Sequence, residues 1–331
     1  MKKVTDGMSK SDLAIRPHHL LCTVCTIGGV ECSLLSKDII DYILQQVGTD
    51  ATLRIKLVSY ADEIVYFRNL HPEDYVQMDT QEVFNRKRDL DVLQKLGLAP
   101  GDTRRARYLY ELLFERIETP QGICAYDTTD WEGCLHAKSG AYEKIRAIGW
   151  SAIVHKRGDE DKNEYRKRSV AEIYTGEKLR IRPHHLMCMA CSYNGGELNA
   201  PRPEDTIYEA IKRIQKDPDV EITLVEGCCT LCDPCDGYDP ETNRCVHSGG
   251  LIRDYKKDLD VFQKLGLMPG ATMKARDLYK LLFERIPSTK EVCAYGDGVL
   301  TSNEWRICGG PEGSEAYKRT IENGGFFNGN L

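Results

Sequence analysis

The chain has 331 residues, 41% hydrophobic and 29% charged, a make-up that suits about two folded domains and excludes a disordered or collagenous chain. With 45 Lys and Arg against 51 Asp and Glu the net charge is −6, so there is no basic field to hold a nucleic acid, and no apolar run is long enough to cross a membrane. Two lysines near the start lead into no apolar stretch, so no secretory signal is expected and the setting is read as cytoplasmic.

In chain order the first signal is Ile15-Arg16-Pro17-His18-His19-Leu20, where Pro17 suits the first turn of a short helix. A helix is predicted near Ser36 to Gln46, then a strand over Thr52 to Val58. Two helices follow, Thr80 to Leu96 and Thr103 to Ile117, joined by Gly97-Leu98-Ala99-Pro100-Gly101. Leu109, Leu112, Leu113 and Ile117 fall at helical spacing, which assigns them to the core and not to a site.

The pattern then returns. Ile181-Arg182-Pro183-His184-His185-Leu186 repeats the opening motif, and a helix (Pro203 to Lys216) and strand (Val220 to Val225) follow it. The stretch Asp89 to Ile117 recurs as Asp258 to Ile286, and Cys124-Ala125-Tyr126 recurs as Cys293-Ala294-Tyr295. Such self-similarity predicts a tandem duplication. Residues 1–154 and 181–331 form two repeats, and residues 155–180 form a charged linker that is helical in part. The expected fold is helix-rich α+β: two pseudo-symmetric repeats, each with one or a few short strands and cysteine-bearing loops.

Fourteen cysteines are the compositional anomaly, and in a reducing compartment metal ligation explains them better than disulfides. Cys22, Cys25, Cys124 and Cys134 match Cys188, Cys191, Cys293 and Cys308. The carboxyl repeat alone adds Cys228, Cys229, Cys232 and Cys235, with Cys245 further on; Ala61, Asp62, Val65 and Arg68 stand at the places of the first four in the amino repeat. Three quartets are therefore expected: Cys22, Cys25, Cys124 and Cys134; Cys188, Cys191, Cys293 and Cys308; and Cys229, Cys232, Cys235 and Cys245. Cys32 and Cys228 are left over. Four thiolates suit a [4Fe–4S] cluster or a tetrahedral zinc ion. The second cysteine pair of each repeat is wider than a zinc knuckle, and Cys229-x-x-Cys232-x-x-Cys235 echoes the close run of bacterial ferredoxins, so up to three [4Fe–4S] clusters are the first reading and zinc the alternative.

Arg182-Pro183-His184-His185-Leu186-x-Cys188, the Cys-rich loop through Cys245, and Leu265-Gly266-Leu267-x-Pro269-Gly270 together resemble an uncharacterised family of short bacterial and archaeal proteins with an RPHHLLC start. The resemblance covers most of residues 181–271 and, without the central cysteines, residues 15–101. It implies iron–sulfur binding with no defined activity. It also implies a ligand set of Cys188, a Cys-x-x-Cys pair within Cys229, Cys232 and Cys235, and Cys245. That set shares Cys188 with the quartet drawn from the repeat, and the split into separate quartets is preferred because the amino repeat has four matched cysteines without any central loop.

His18 and His184, with their neighbours His19 and His185, precede the first cysteine of each repeat and are read as helix-start imidazoles bonded to backbone or carboxylate, as donors beside a cluster, or as a fourth ligand or proton carrier. Arg16 and Arg182 would neutralise cluster charge or pair with an acid. The leading function is electron transfer or redox chemistry with a partner protein or small molecule. The alternatives are a lyase or desulfurating enzyme with an open cluster site, and a zinc-stabilised interaction module.

Overall fold

The computed structural model describes residues 12–32, 35–61, 80–125, 133–247 and 251–327. Asp62, Val65 and Arg68, compared above with loop cysteines, lie outside that range. The chain divides into two compact units, Met1–Lys156 and Arg157–Leu331, each α+β and rich in helix.

The first unit opens with β1 (Leu13–Ile15), α1 (His19–Ile27), α2 (Lys37–Thr49) and β2 (Arg54–Leu57). It continues with α3 (Thr80–Leu96), β3 (Thr103–Arg105), α4 (Ala106–Arg116) and α5 (Ala141–Ile148). β2 is the central strand, parallel to β1 with Leu13 opposite Ile55 and antiparallel to β3 with Ile55 opposite Arg104. Ile40, Ile43 and Val47 line one face of α2 at helical spacing and are buried, as are Leu109, Leu112, Leu113 and Ile117. α3 stops at Gly97, whose φ of +67° a residue with a Cβ rarely adopts, and Leu98 N–H returns to Leu93 O at 2.9 Å.

In the second unit α6 (Asp159–Thr175) leads into β4 (Lys178–Ile181), α7 (Pro183–Tyr193), α8 (Ile207–Lys216) and β5 (Glu221–Leu224). A two-stranded ribbon, β6 (Tyr238–Asp239) with β7 (Arg244–Cys245), precedes α9 (Leu251–Leu265), β8 (Thr272–Lys274) and α10 (Ala275–Arg285). The short α11 (Lys290–Cys293) and then α12 (Glu315–Glu322) complete it. Its main sheet has the order β4-β5-β8, the first pair parallel and the second antiparallel.

Three local expectations change. The charged stretch 155–180 is not a separate linker: from Arg157 on it belongs to the second unit, where α6 buries Ser169 and Ile173 and β4 begins at Lys178. Thr103–Arg105 is strand and not the first turn of a helix, because it completes the sheet beside β2. Pro183 does open α7, whereas α1 starts only at His19, two residues after Pro17.

A buried tyrosine closes one helix end in each unit. Tyr142 Oη donates to Ile117 O at 2.8 Å and Tyr317 Oη to Ile286 O at 2.9 Å, satisfying carbonyls that the helices leave open. Tyr317→Phe should destabilise the second unit by about 1–3 kcal/mol, the cost of an orphaned buried acceptor. Urea unfolding of the full chain measures it; an unchanged midpoint would remove the tyrosine from this role. Among the described residues no helix is long and apolar enough to cross a membrane.

Candidate metal centres

In the first unit α1 carries Cys22 and Cys25 one turn apart, so both sulfurs leave the same face. Cys124 ends a turn in which its N–H donates to Pro120 O at 2.8 Å, and Cys134 N–H donates to Cys124 O at 2.6 Å. Gly133 permits this approach, since a Cβ there would lie 2.1 Å from Cys124 O. The four cysteines, with Cys32, line one small cavity of about 20 Å³. Cys32, which the repeat pattern leaves unassigned, joins them: its thiol bonds with that of Cys22, which this contact and burial push well up.

The second unit carries the other quartet expected from sequence. Cys188 and Cys191 lie on α7, Cys293 ends α11, and Cys308 N–H donates to Cys293 O at 3.1 Å. All four line a cavity of about 650 Å³, and Cys228, Cys232, Cys235 and Cys245 line it too. The Cys-rich loop is held by α6 and by Arg157 just before it. Arg157 donates to Asp233 O and, at 3.2 Å, to Cys235 O; Lys162 reaches Asp236 at 2.8 Å, and Ser169 Oγ donates to Thr230 O at 2.8 Å.

Two cations are embedded among these thiols. Arg88 on α3 is fully buried on the wall of the first cavity; it bonds Asn85, while its Nε and Nη1 have no hydrogen-bond partner. Burial pushes the Cys124 thiol up to about 11 against the pull of this guanidinium. In the second unit Lys257, 2% exposed, donates from Nζ to Cys308 Sγ at 3.3 Å. Burial pushes Cys293 up to about 12, again against the nearby cation. Sequence reasoning missed both, although each stands directly before the repeated Asp, in Lys87-Arg88-Asp89 and Lys256-Lys257-Asp258.

That aspartate organises the Arg-Pro-His-His motif. Asp258 accepts from Arg182 Nε at 2.9 Å and Nη2 at 2.5 Å, from His184 N–H at 3.1 Å, and lies 2.7 Å from His184 Nδ1. Burial opposes its charge, but His184 and Arg182 outweigh that and hold it below the usual carboxylate range. Asp89 is bound in the same way, by Arg16 Nε at 2.7 Å and His18 Nδ1 at 2.6 Å, and Arg16 also reaches Glu82 at 2.8 Å. Arg182 and His184 line the large cavity, whereas Arg16 and His18 are not among the walls of the small one.

The second histidine of each pair behaves differently from the first. His185 Nδ1 lies 3.3 Å from Cys229 Sγ, and Cys229 Sγ lies 3.9 Å from Cys232 Sγ. Cys228 and Cys229 hydrogen-bond to Cys232 and hold that thiol well below its usual range. Cys235 lies 3.1 Å from His247 Nε2, a partner the sequence did not suggest, and accepts from Gly237 N–H at 3.3 Å.

The counterpart His19 has a buried Nδ1 with no hydrogen-bond partner, and burial, with His18 beside it, lowers its pKa to about 3. An ordinary unfolded imidazole binds its proton near 6.5, so the first unit should be fully stable above that pH and lose roughly 3–5 kcal/mol as pH falls towards 3. His19→Phe should flatten this acid limb in a pH series of unfolding midpoints. An unaltered slope would count against His19 as its source.

Residues 205–297 match the model of an uncharacterised family described as "Protein of unknown function (DUF1284)". The matched span takes in the Cys-rich loop, Lys257, Asp258 and Cys293, and leaves out Arg182, His184, Cys188, Cys191 and Cys308. No curated protein and no solved structure matches the chain. The clustered thiols and the His185, Cys229 and Cys232 group are compatible with metal binding.

Proposed function

We propose that this is an iron–sulfur protein for electron transfer, with clusters held by Cys22, Cys25, Cys124 and Cys134 in the first unit and by Cys188, Cys191, Cys293 and Cys308 in the second. The buried cation beside each quartet carries the reading. Arg88 Nε and Nη1 have no hydrogen-bond partner, and Lys257 meets one carboxylate, Asp254, only at 3.9 Å. Neutral thiols add no charge to offset these buried cations, and an under-compensated buried charge is unfavourable. Metal-bound cysteines are thiolates, so a four-thiolate centre supplies the missing negative charge. The wide spacing of the second cysteine pair favours a cluster over zinc. An iron–sulfur cluster supplies one-electron oxidation and reduction, with no bond made or broken in the partner. The chain's own part is to keep the thiolates converged, to exclude water, and through Arg88 and Lys257 to stabilise added negative charge. A cytoplasmic, reducing setting and a redox partner protein or small molecule belong to the same proposal.

The size of the second cavity favours one further reading. About 650 Å³ lies within the range of small-molecule sites, and His184 on its wall, held by Asp258 behind it, has the form of an oriented acid/base group. An open cluster in the second unit would then serve a lyase or desulfurating reaction.

The test is Cys22→Ser with Cys25→Ser, and separately Cys188→Ser with Cys191→Ser, in the full chain purified without oxygen. Each pair should remove about half of the bound iron and acid-labile sulfide. Unchanged iron in both variants would end the assignment. A spectral shift on adding small molecules that vanishes only in the second variant would favour the enzyme reading.

A further inference from the structure

The Cys-rich loop is expected from sequence to hold a third all-thiolate cluster, and its geometry points elsewhere. Cysteines of a four-iron cluster each bind a different iron, so their sulfurs stand further apart than two ligands of one ion. Cys229 and Cys232 are 3.9 Å apart. Bonds of about 2.3 Å to sulfur and about 2.0 Å to nitrogen, at tetrahedral angles, set ligand separations of about 3.8 Å for two sulfurs and about 3.5 Å for sulfur and nitrogen. The sulfur pair and the 3.3 Å between Cys229 Sγ and His185 Nδ1 both fall close to those edges. All three ligand atoms lie within 4.8 Å of one another.

We infer that His185, Cys229 and Cys232 bind a single zinc ion whose fourth position opens into the 650 Å³ cavity. Two thiolates and one imidazole are a donor set that zinc takes readily, and three protein ligands with one place left open mark reactive zinc sites, not structural ones. The orientation is prepared: the His184 ring stands edge-on to His185 with centroids 4.7 Å apart, and Asp258 fixes His184 in turn. His185 and Cys232 both line the cavity, so the open vertex faces space that a small molecule can enter. Cys228 is on the same wall and bonds to Cys232, but it is not one of the three grouped ligands. The ligand class is a small molecule that offers one oxygen or sulfur donor to zinc; a bound water at that position is acidified and becomes a nucleophile near neutral pH. The first unit contains His19 but Asp62 and Val65 where Cys229 and Cys232 stand, so the donor set belongs to the second unit alone.

This inference does not depend on what the two quartets hold. The full chain, purified without added metal, should retain one zinc after dialysis, and Cys229→Ser or His185→Gln should lose that zinc while iron and sulfide stay at the wild-type level. X-ray absorption at the zinc edge of the unaltered protein needs no variant to fold, and should give two sulfur and two nitrogen or oxygen neighbours. Loss of iron and sulfide in Cys229→Ser would overturn the proposal by making Cys229 a cluster ligand. Three or four sulfur neighbours would overturn the open position by recruiting Cys228 or another thiolate. Absence of zinc, with none taken up when Zn²⁺ alone is added, would overturn the site itself.

Discussion

Asp258→Asn is expected to destabilise the second unit by about 3–5 kcal/mol, because it removes the charge that compensates a buried arginine. The side chains of Arg182 and Asp258 are only 7% and 1% exposed, so water cannot take over the role of the lost carboxylate. His184 loses its anchor in the same step, since both its N–H and Nδ1 meet Asp258 Oδ1. Asparagine keeps the shape and leaves the packing of α9 on α7 in place, which isolates the charge. The pH dependence has the usual sign for a carboxylate. Asp258 is held low in the folded chain, so its contribution is present above the ordinary carboxylate range and is lost as pH falls through the folded value. Denaturant unfolding at neutral pH measures the difference; a loss below about 1 kcal/mol, the level of an exposed ion pair, would show that solvent reaches the cluster of charges.

The second large effect concerns Lys257. Its ammonium, 3.3 Å from Cys308 Sγ and 2% exposed, should stabilise the reduced, more negative form of a centre at that quartet. An opposite charge within about 4–6 Å shifts a titrating group by roughly 1–3 pK units, and one unit corresponds to about 59 mV for one electron. Lys257→Met should therefore lower the midpoint potential of the second-unit centre by roughly 60–180 mV and leave its iron in place. Arg88→Met should act on the first-unit centre alone. Redox titration followed by electron paramagnetic resonance separates the two. A potential unmoved in both variants would mean the cations serve packing only.

The helix-rich α+β class was legible because α2, α4 and α8 bury their apolar residues at helical spacing. The outer strands were not. Leu13–Ile15 and Thr103–Arg105 have three residues each, too few for an alternating pattern to register, and they are strands only because β2 pairs with both. Lys178–Ile181 was hidden at the end of a charged run, where its buried Leu179 and Ile181 alternate with exposed cations. At the site, repetition within the chain pointed to the cysteines that line each cavity, since unrelated thiols have no reason to recur in register. The charged residues inside α3 and α9 were missed because Arg88, Asp89, Lys257 and Asp258 look like solvated helix surface until the fold closes over them. His247 could not be paired with Cys235 from spacing, because the turn between β6 and β7 brings them together.

The most direct measurement is the metal and sulfide content of the full chain, purified anaerobically and without added metal. Two four-iron centres and one zinc site predict about eight iron, about eight acid-labile sulfide and one zinc per chain. Zinc at three equivalents with neither iron nor labile sulfide would contradict the iron–sulfur account and leave the quartets as structural zinc sites.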